Sequence, residues 1–467
     1  MGLYTELPVG IDEVDVIVVG GGTAGCIIAA RLADADPNLA VLVIEGGQDN
    51  YNMPEVVFPG LFLSNILPGS KTALFYKGNK SPSTANRDLF VPSGGVLGGG
   101  SSINFLTYSR GQRADFDSWN TPGWSAEEIL PYLKKFETYH GPGSEDVHGY
   151  SGPVNVSRGG FNVVKLEDDF IGSAQKLGWP ETKDLQGLST TNAVQRTMRY
   201  ISPDGKRQDT AHRYLHPRLQ DGLHLNLHVL VETQVERVIL ENKRAVGVVY
   251  KRNPAFLTNT DSGTNPSRLI KAKKMVVISS GGCGSPAVLE RSGIGGSEVL
   301  KRANVPLVVN VPGVGQDFKD HVGILYAYKS GLGATETMDK FLRSLSDPAD
   351  LIKKNDPMLA WNSMDVTSKL RPSDADVAAL GPVFQKHWDT IYKDIPEKPV
   401  SIITLINGFP GDPTGVPQGQ YMGISMFSTY PRSVGHVHIT GPQVDDALDF
   451  ETGYLTDREA IDVKEAR

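Results

Sequence analysis

Cysteine is almost absent from this sequence: Cys26 and Cys283 are the only two in 467 residues, which excludes a disulfide framework. Each lies beside a glycine-rich turn, where a small side chain suits tight packing. Long apolar runs are missing too, and none approaches the length that would cross a bilayer. Positive charge is in the minority, with 46 Lys and Arg against 53 Asp and Glu, a formal net charge of -7 and a pI near 5.8. A surface of that sign does not attract nucleic acid or an anionic membrane, so neither is expected as a partner. The densest basic run, Lys271-Ala272-Lys273-Lys274, leads into an apolar strand over residues 275–280 and reads as a solvated strand entrance. The first fourteen residues show neither the positive start nor the apolar core of a secretory leader, and Glu6 stands where a myristoylation signal needs Ser or Thr. These absences predict an intracellular protein without a membrane anchor, in which the Asn155-Val156-Ser157 glycosylation triplet is a chance occurrence. The length exceeds one ordinary core and points to two domains.

Glycine, by contrast, is plentiful and placed where chemistry would need it. The apolar run 14–19 reads as a fully buried strand that enters Gly20-Gly21-Gly22-Thr23-Ala24-Gly25, in which Gly20, Gly22 and Gly25 fit G-x-G-x-x-G. A helix-period stretch over 26–32 follows. Gly20 permits the tight turn, Gly22 lets the backbone approach a pyrophosphate, and Gly25 allows close helix–strand packing, so the phosphates meet the helix N-terminus at Thr23 and Ala24. Residues 40–44 form a second strand, and Glu45 then stands where a carboxylate can accept ribose hydroxyls. Strand, glycine turn, helix, strand and acid together specify a dinucleotide site and leave NAD or FAD open.

A second glycine-dense segment, residues 93–105, is bounded by Phe90-Val91-Pro92 and Leu106-Thr107-Tyr108. Flexible linkers are not flanked by side chains that want burial, so this backbone passes close to something. Ser101, Ser102 and Asn104 set polar side chains beside it, a composition suited to a flat heterocycle and its phosphates.

Farther on, Ser125-Ala126-Glu127-Glu128 reads as a capping box opening a helix with Ile129, Leu130, Leu133 and Phe136 on one side and a step at Pro131. Residues 159–218 are mixed and read as a first visit to a second domain. Leu223, Leu225 and Leu227 alternate with His224, Asn226 and His228, which predicts a strand with leucines inward and histidines outward, rather than a metal site. Residues 235–240 and 245–250 form a hairpin, followed by a polar surface insertion over 253–267. A buried strand over 275–280 leads through Gly281-Gly282-Cys283-Gly284 to a helix capped by Ser285, begun at Pro286 and ended at Ser292-Gly293. Residues 311–321 supply another constrained turn closed by Asp320 and His321. From Gly323 the pattern suggests long helices and alternating strands such as 436–440, on which His436 and His438 read as solvent-facing.

The combination resembles one family, the glucose-methanol-choline (GMC) flavoprotein oxidoreductases, along nearly the whole chain. Residues 20–25 with Glu45 match its FAD-binding start, and residues 94–104 resemble its first signature. Residues 280–282 through Ser292-Gly293-Ile294-Gly295 resemble its second, and Val314-Gly315 through Asp320-His321 fits a third landmark. Within it, residues 97–105, 207–212 and 430–440 are similar to the fungal and yeast alcohol (methanol) oxidases. The resemblance implies an α/β fold: a Rossmann-like FAD-binding domain, 1–158 and 221–325, interleaved with an α+β substrate domain on an antiparallel sheet, 159–220 and 326–467. It implies FAD as cofactor, a small primary alcohol and dioxygen as partners in a reaction giving aldehyde and hydrogen peroxide, a homo-oligomer, and a peroxisomal or cytoplasmic home. Carried over by position, Gly20, Gly22, Thr23, Ala24 and Gly25 lie on the pyrophosphate and Glu45 on the adenosine ribose. Leu97, Gly98, Ser101, Ser102 and Asn104 lie along the isoalloxazine and ribityl chain, Val235 meets the adenine through its backbone, and Phe105 narrows the alcohol pocket. Asp320 and His321 are structural. The family's catalytic histidine belongs to a segment expected beyond Arg467, so no catalytic base is assigned, and poor turnover or a catalytically silent flavin-binding paralogue is the alternative expectation.

Overall fold

Short Val- and Ile-rich runs, buried on both faces, set the centre of the larger sheet. In the computed structural model, which describes residues 2–257, 265–342, 347–459 and 461–465, this sheet comprises β1 (Leu3–Tyr4), β2 (Glu13–Val19), β3 (Val41–Ile44), β4 (Leu227–Leu230), β5 (Thr233–Glu241), β6 (Arg244–Arg252) and β7 (Arg268–Ile278). Their spatial order is β1-β4-β3-β2-β7-β6-β5. The first five pair in parallel, and β5–β6 is an antiparallel hairpin added through β7. Parallel strands need cover on both sides, which is why β3 is buried at every position. On one face α1 (Thr23–Ala35) packs Cys26, Ala29 and Ala33 onto Val16, Val18, Val41 and Val43. On the other, Ile17, Val19, Leu42 and Ile44 meet Val235, Val248 and Val288.

A second, five-stranded antiparallel sheet has the order Gly323–Ser330, Gln420–Ser428, Ser401–Ile406, Val366–Lys369, Ala193–Arg196. The last of these strands comes from the middle of the chain, so the backbone visits this sheet, returns to the larger one for β4 to β7, and comes back. Trp361, Val194, Val366, Leu405 and Met358 form its core. The fold is the α/β architecture anticipated, with a Rossmann-like half and an antiparallel half.

The capping box holds: Ser125 and Glu128 bond reciprocally at the start of α2 (Ala126–Phe136), which contains Pro131. The 235–250 hairpin also forms. Part of the expected surface insertion, residues 258–264, lies outside the described residues.

Other expectations need correction. Leu223 and Leu225 are 79% and 80% exposed and precede β4, which begins only at Leu227. Local turn formation wins there, because Asp221 accepts from the amides of Leu223 and His224. The basic run 271–274 lies within β7 rather than at its entrance, and Met275 is 55% exposed, so the strand is half-covered instead of fully buried. The helix after it, α3 (Gly281–Arg291), starts earlier and carries Pro286 inside. Ser285 Oγ accepts from the Ser280 amide, a bond inside the turn rather than an N-terminal cap. The helices after Gly323 are short, the longest of those described being Pro382–Ile391.

His438, expected on the surface, is 3% exposed. Its Nδ1 lies 2.7 Å from Glu290 Oε1, and Glu290 Oε2 accepts from the Ile439 amide at 2.8 Å. This clamp ties the strand His436–Ile439 to α3. Glu290→Leu should strip two buried donors of their acceptor and cost about 2–4 kcal/mol of stability, read as a lower urea midpoint with an unchanged slope; an unchanged midpoint would show the clamp to be idle.

A buried cation offers a second check. Lys369 Nζ donates to the Arg110 carbonyl at 2.9 Å and Gln112 Oε1 at 2.8 Å, and burial pulls its pKa down from 10.5 to about 8. Between those values the unfolded chain holds a proton that the folded one has released, so this group makes stability rise with pH there. Lys369→Met should flatten the rise between pH 8 and 10.5; equal slopes for the two proteins would refute it.

Candidate functional site

The N-terminus of α1 opens into a cleft of about 560 Å³. Gly22 is its N-cap, no side chain bonds the first-turn amides, and no acidic residue occupies that turn. The free N–H groups and the positive end of the helix dipole are therefore available to an anion. Thr23 and Ala24 are exposed beside them. A Cβ at Gly25 would sit 2.0 Å from the Gly20 carbonyl oxygen, so that position serves helix–strand contact. At Gly22 the nearest atom would be 3.8 Å away, leaving that side of the turn open to a ligand.

Glu45, at the end of β3, is buried and bound on both oxygens: Oε2 accepts from the Gly21 amide at 2.7 Å and Oε1 from the Gly47 amide at 2.8 Å. Burial raises its pKa, and the amides of Gly47, Gly21 and Gly46 oppose that rise. Each oxygen retains a lone pair with which to accept a hydroxyl.

The second glycine segment meets the first. The strand Phe90–Gly94, paired with Ala73–Lys77, leads into a turn where Gly99 has φ +53° and a Cβ would lie 2.7 Å from Gly22 Cα. Gly98 N–H donates to the Gly21 carbonyl at 2.8 Å. Thr23 Oγ1 donates to the Gly98 carbonyl and accepts from the Ser101 amide, both at 3.1 Å. Ser101 Oγ donates back to the Gly98 carbonyl at 2.6 Å.

The structure thus gathers Gly20, Gly22, Thr23, Ala24, Glu45 and Val235 on one cleft, with Gly99 and Gly100 opposite. Gly25, Gly98, Leu97 and Ser102 are turned inward. Leu97 belongs to the core beneath α1, and Ser102 Oγ donates to the Leu97 carbonyl while accepting from Asn50 Nδ2. Asn104 and Phe105 lie past this lining. Phe105 is 37% exposed, with its ring edge-on to Phe62 at 4.8 Å.

Arg207 and Asp209, which the sequence reading gave no role at the site, hold this turn together with Asn50 and His212. Arg207 donates to the Ser101 carbonyl (3.1 Å), the Asn104 carbonyl (2.9 Å), Asn104 Oδ1 (2.8 Å) and the Val56 carbonyl (2.8 Å). Asp209 accepts from Asn50 Nδ2 and binds His212 Nδ1 at 2.6 Å. The partners are far apart in sequence, so no local pattern reports them.

Fold and cleft define a dinucleotide-binding α/β protein with a second antiparallel sheet. A family model for GMC oxidoreductases matches residues 14–323, and the chain belongs to that family of FAD-dependent oxidoreductases. It is 38% identical over 453 residues to an alcohol oxidase of Candida boidinii and 38% identical over 456 residues to one of Pichia angusta, covering in each case 96% of this chain and 67% of the relative. Mouse mitochondrial choline dehydrogenase is 34% identical over 68% of this chain and 51% of its own. Among solved structures, a formate oxidase superposes with a TM-score of 0.82 at 21% identity, covering 97% of this chain and 79% of that one, a likeness of fold. Among the described residues no helix is long and apolar enough to cross a membrane.

FAD fits what the cleft offers: uncapped amides for its phosphates, a carboxylate for its ribose, and a bare backbone opposite. Arg207→Lys cannot satisfy four acceptors at once. It should therefore loosen the 98–104 turn and weaken FAD retention about tenfold or more, measured by release of flavin fluorescence on dilution; unchanged retention would show that Arg207 does not support the site.

Proposed function

We propose that this chain oxidises a small primary alcohol to its aldehyde, with dioxygen reduced to hydrogen peroxide. The reaction balances: one C–H and one O–H hydrogen leave the alcohol and both end on the peroxide. Bound FAD supplies the hydride acceptor and passes the electrons on to dioxygen. The observation that carries this reading is the 38% identity to yeast alcohol oxidases along 96% of the chain. Under it, Gly20, Gly22, Thr23, Ala24 and Gly25 serve the pyrophosphate, Glu45 the ribose and Val235 the adenine. Leu97, Gly98, Ser101, Ser102 and Asn104 shape the flavin end, and Phe105 walls the alcohol pocket. Residues 1–158 and 221–325 form the FAD domain, and residues 159–220 and 326–467 the substrate domain. A homo-oligomer in the peroxisome or cytoplasm belongs to the same proposal.

A catalytically silent flavin-binding paralogue is the second reading, favoured by the histidines. Each of the ten has at least one ring nitrogen beside a partner, although His212 Nε2 is buried without one: His140 with Asn155, His148 with Glu137 and Asp184, His212 with Asp209, His216 with Asn50, His224 with Asp34 and Asp221, and His228 with Tyr4. His321 binds the Ser428 carbonyl, His387 Glu465, His436 Asp449 and His438 Glu290. A proton acceptor lacking at the alcohol costs on the order of 10²–10⁴ in rate.

The deciding experiment is the visible spectrum of the purified 467-residue chain, taken anaerobically before and after ethanol. Slow bleaching that quickens with pH, reversed by air with one peroxide per aldehyde, is expected of the oxidase. A bound flavin that stays oxidised at every pH would overturn it in favour of the silent paralogue.

A further inference from the structure

From the first turn of α1 the cleft runs two ways. One arm passes Gly99 and Gly100; the other passes Glu45 and Gly46 to the start of β5. Glu45 marks the second arm as the adenosine arm, since the acid after β3 accepts the ribose hydroxyls of a dinucleotide bound at the glycine turn. Just past it stands Gln234, whose Cγ lies 3.6 Å from where a Gly46 Cβ would be. Its side chain lines both this cleft and an adjoining cavity of about 670 Å³. Among the described residues lining those two spaces, Gln234 alone carries a buried polar side-chain atom without a partner, its Oε1. Two neighbouring polar groups at this end are occupied: Asn253 Nδ2 donates to the Gly46 carbonyl at 2.6 Å and Thr233 Oγ1 to the Val231 carbonyl at 3.1 Å. A buried acceptor left unmatched costs stability, and native structures seldom retain one unless something else completes it.

We propose that Gln234 reads the amino edge of the adenine ring, its carboxamide oxygen accepting from the exocyclic amine and its NH2 donating to a neighbouring ring nitrogen. A primary amide matches adenine in this way because donor and acceptor stand side by side on both partners. The base lies between this amide and the apolar Val288, beside the backbone of Val235, both of which also line the cleft. The glycine turn holds the phosphates and is indifferent to the base, whereas Gln234 selects it. The inference rests on the assignment of FAD to this cleft.

The test uses the full chain with FAD and with its analogue carrying unsubstituted purine in place of adenine, which lacks the amine. Dissociation constants come from flavin fluorescence quenching. Wild type should favour FAD by about tenfold or more, and Gln234→Leu by no more than about twofold. Gln234→Glu, which keeps an acceptor for the amine, should retain the preference, and an unchanged urea midpoint for Gln234→Leu shows that its loss is not a failure to fold. An undiminished preference in Gln234→Leu, or an equal loss for both flavins, overturns the role of Gln234 while the cofactor assignment stands. If wild type binds neither flavin, that assignment falls and the inference with it.

Discussion

Two backbone turns touch with no side chain between them, and the site depends on that contact. Gly22 and Gly99 approach so closely that a single methyl at Gly99 would collide with Gly22 Cα. The bond from Gly98 N–H to the Gly21 carbonyl and the bridging Thr23 hydroxyl lock the two turns in register. Remove the contact and the uncapped amides of α1 would face open solvent, where a phosphate has little reason to stay. Keep it, and they face the floor of a narrow trough.

The supports of that trough are charged and buried, which is costly unless every atom is matched. Arg207 answers it in part, spreading Nε and Nη1 over carbonyls of the 98–104 turn and of Val56 while its buried Nη2 is left without a partner. Asp209 does so with Asn50 and His212. Glu45 follows the same rule at the other end, where two glycine amides hold its carboxylate so that its position is set before any ligand arrives. The cleft is therefore preorganised: the groups facing the ligand are mostly backbone, and the side chains that fix them stand behind.

The Rossmann half was legible in the sequence because its signals are local. An apolar strand, a glycine spacing and an acid at a set distance all fall within residues 14–45, and the structure sets Gly20, Gly22, Thr23, Ala24 and Glu45 on one surface. Signals that depend on tertiary neighbours were not legible. Alternation placed Leu223 and Leu225 inside, but the Asp221 turn claimed that stretch, and nothing packs on it. The same rule put His438 outside, although Glu290, distant in sequence, draws it in. Arg207 was invisible as a support because three of its four acceptors are backbone carbonyls, which every residue carries.

The central strand β2 lies between β3 and β7, and Val19 pairs with Ile278 although more than half of the chain, including β3 to β6 of the same sheet, lies between them. During synthesis β2 and β3 emerge early and can pair at once, while the other edge of β2 waits, apolar and with its N–H and C=O groups unmatched, for most of the chain to be made. Closing so long a loop is slow, and an open, apolar edge is a template for pairing with the wrong chain. The incomplete protein thus carries an open, apolar strand edge within its own cofactor-binding half until β7 has been made.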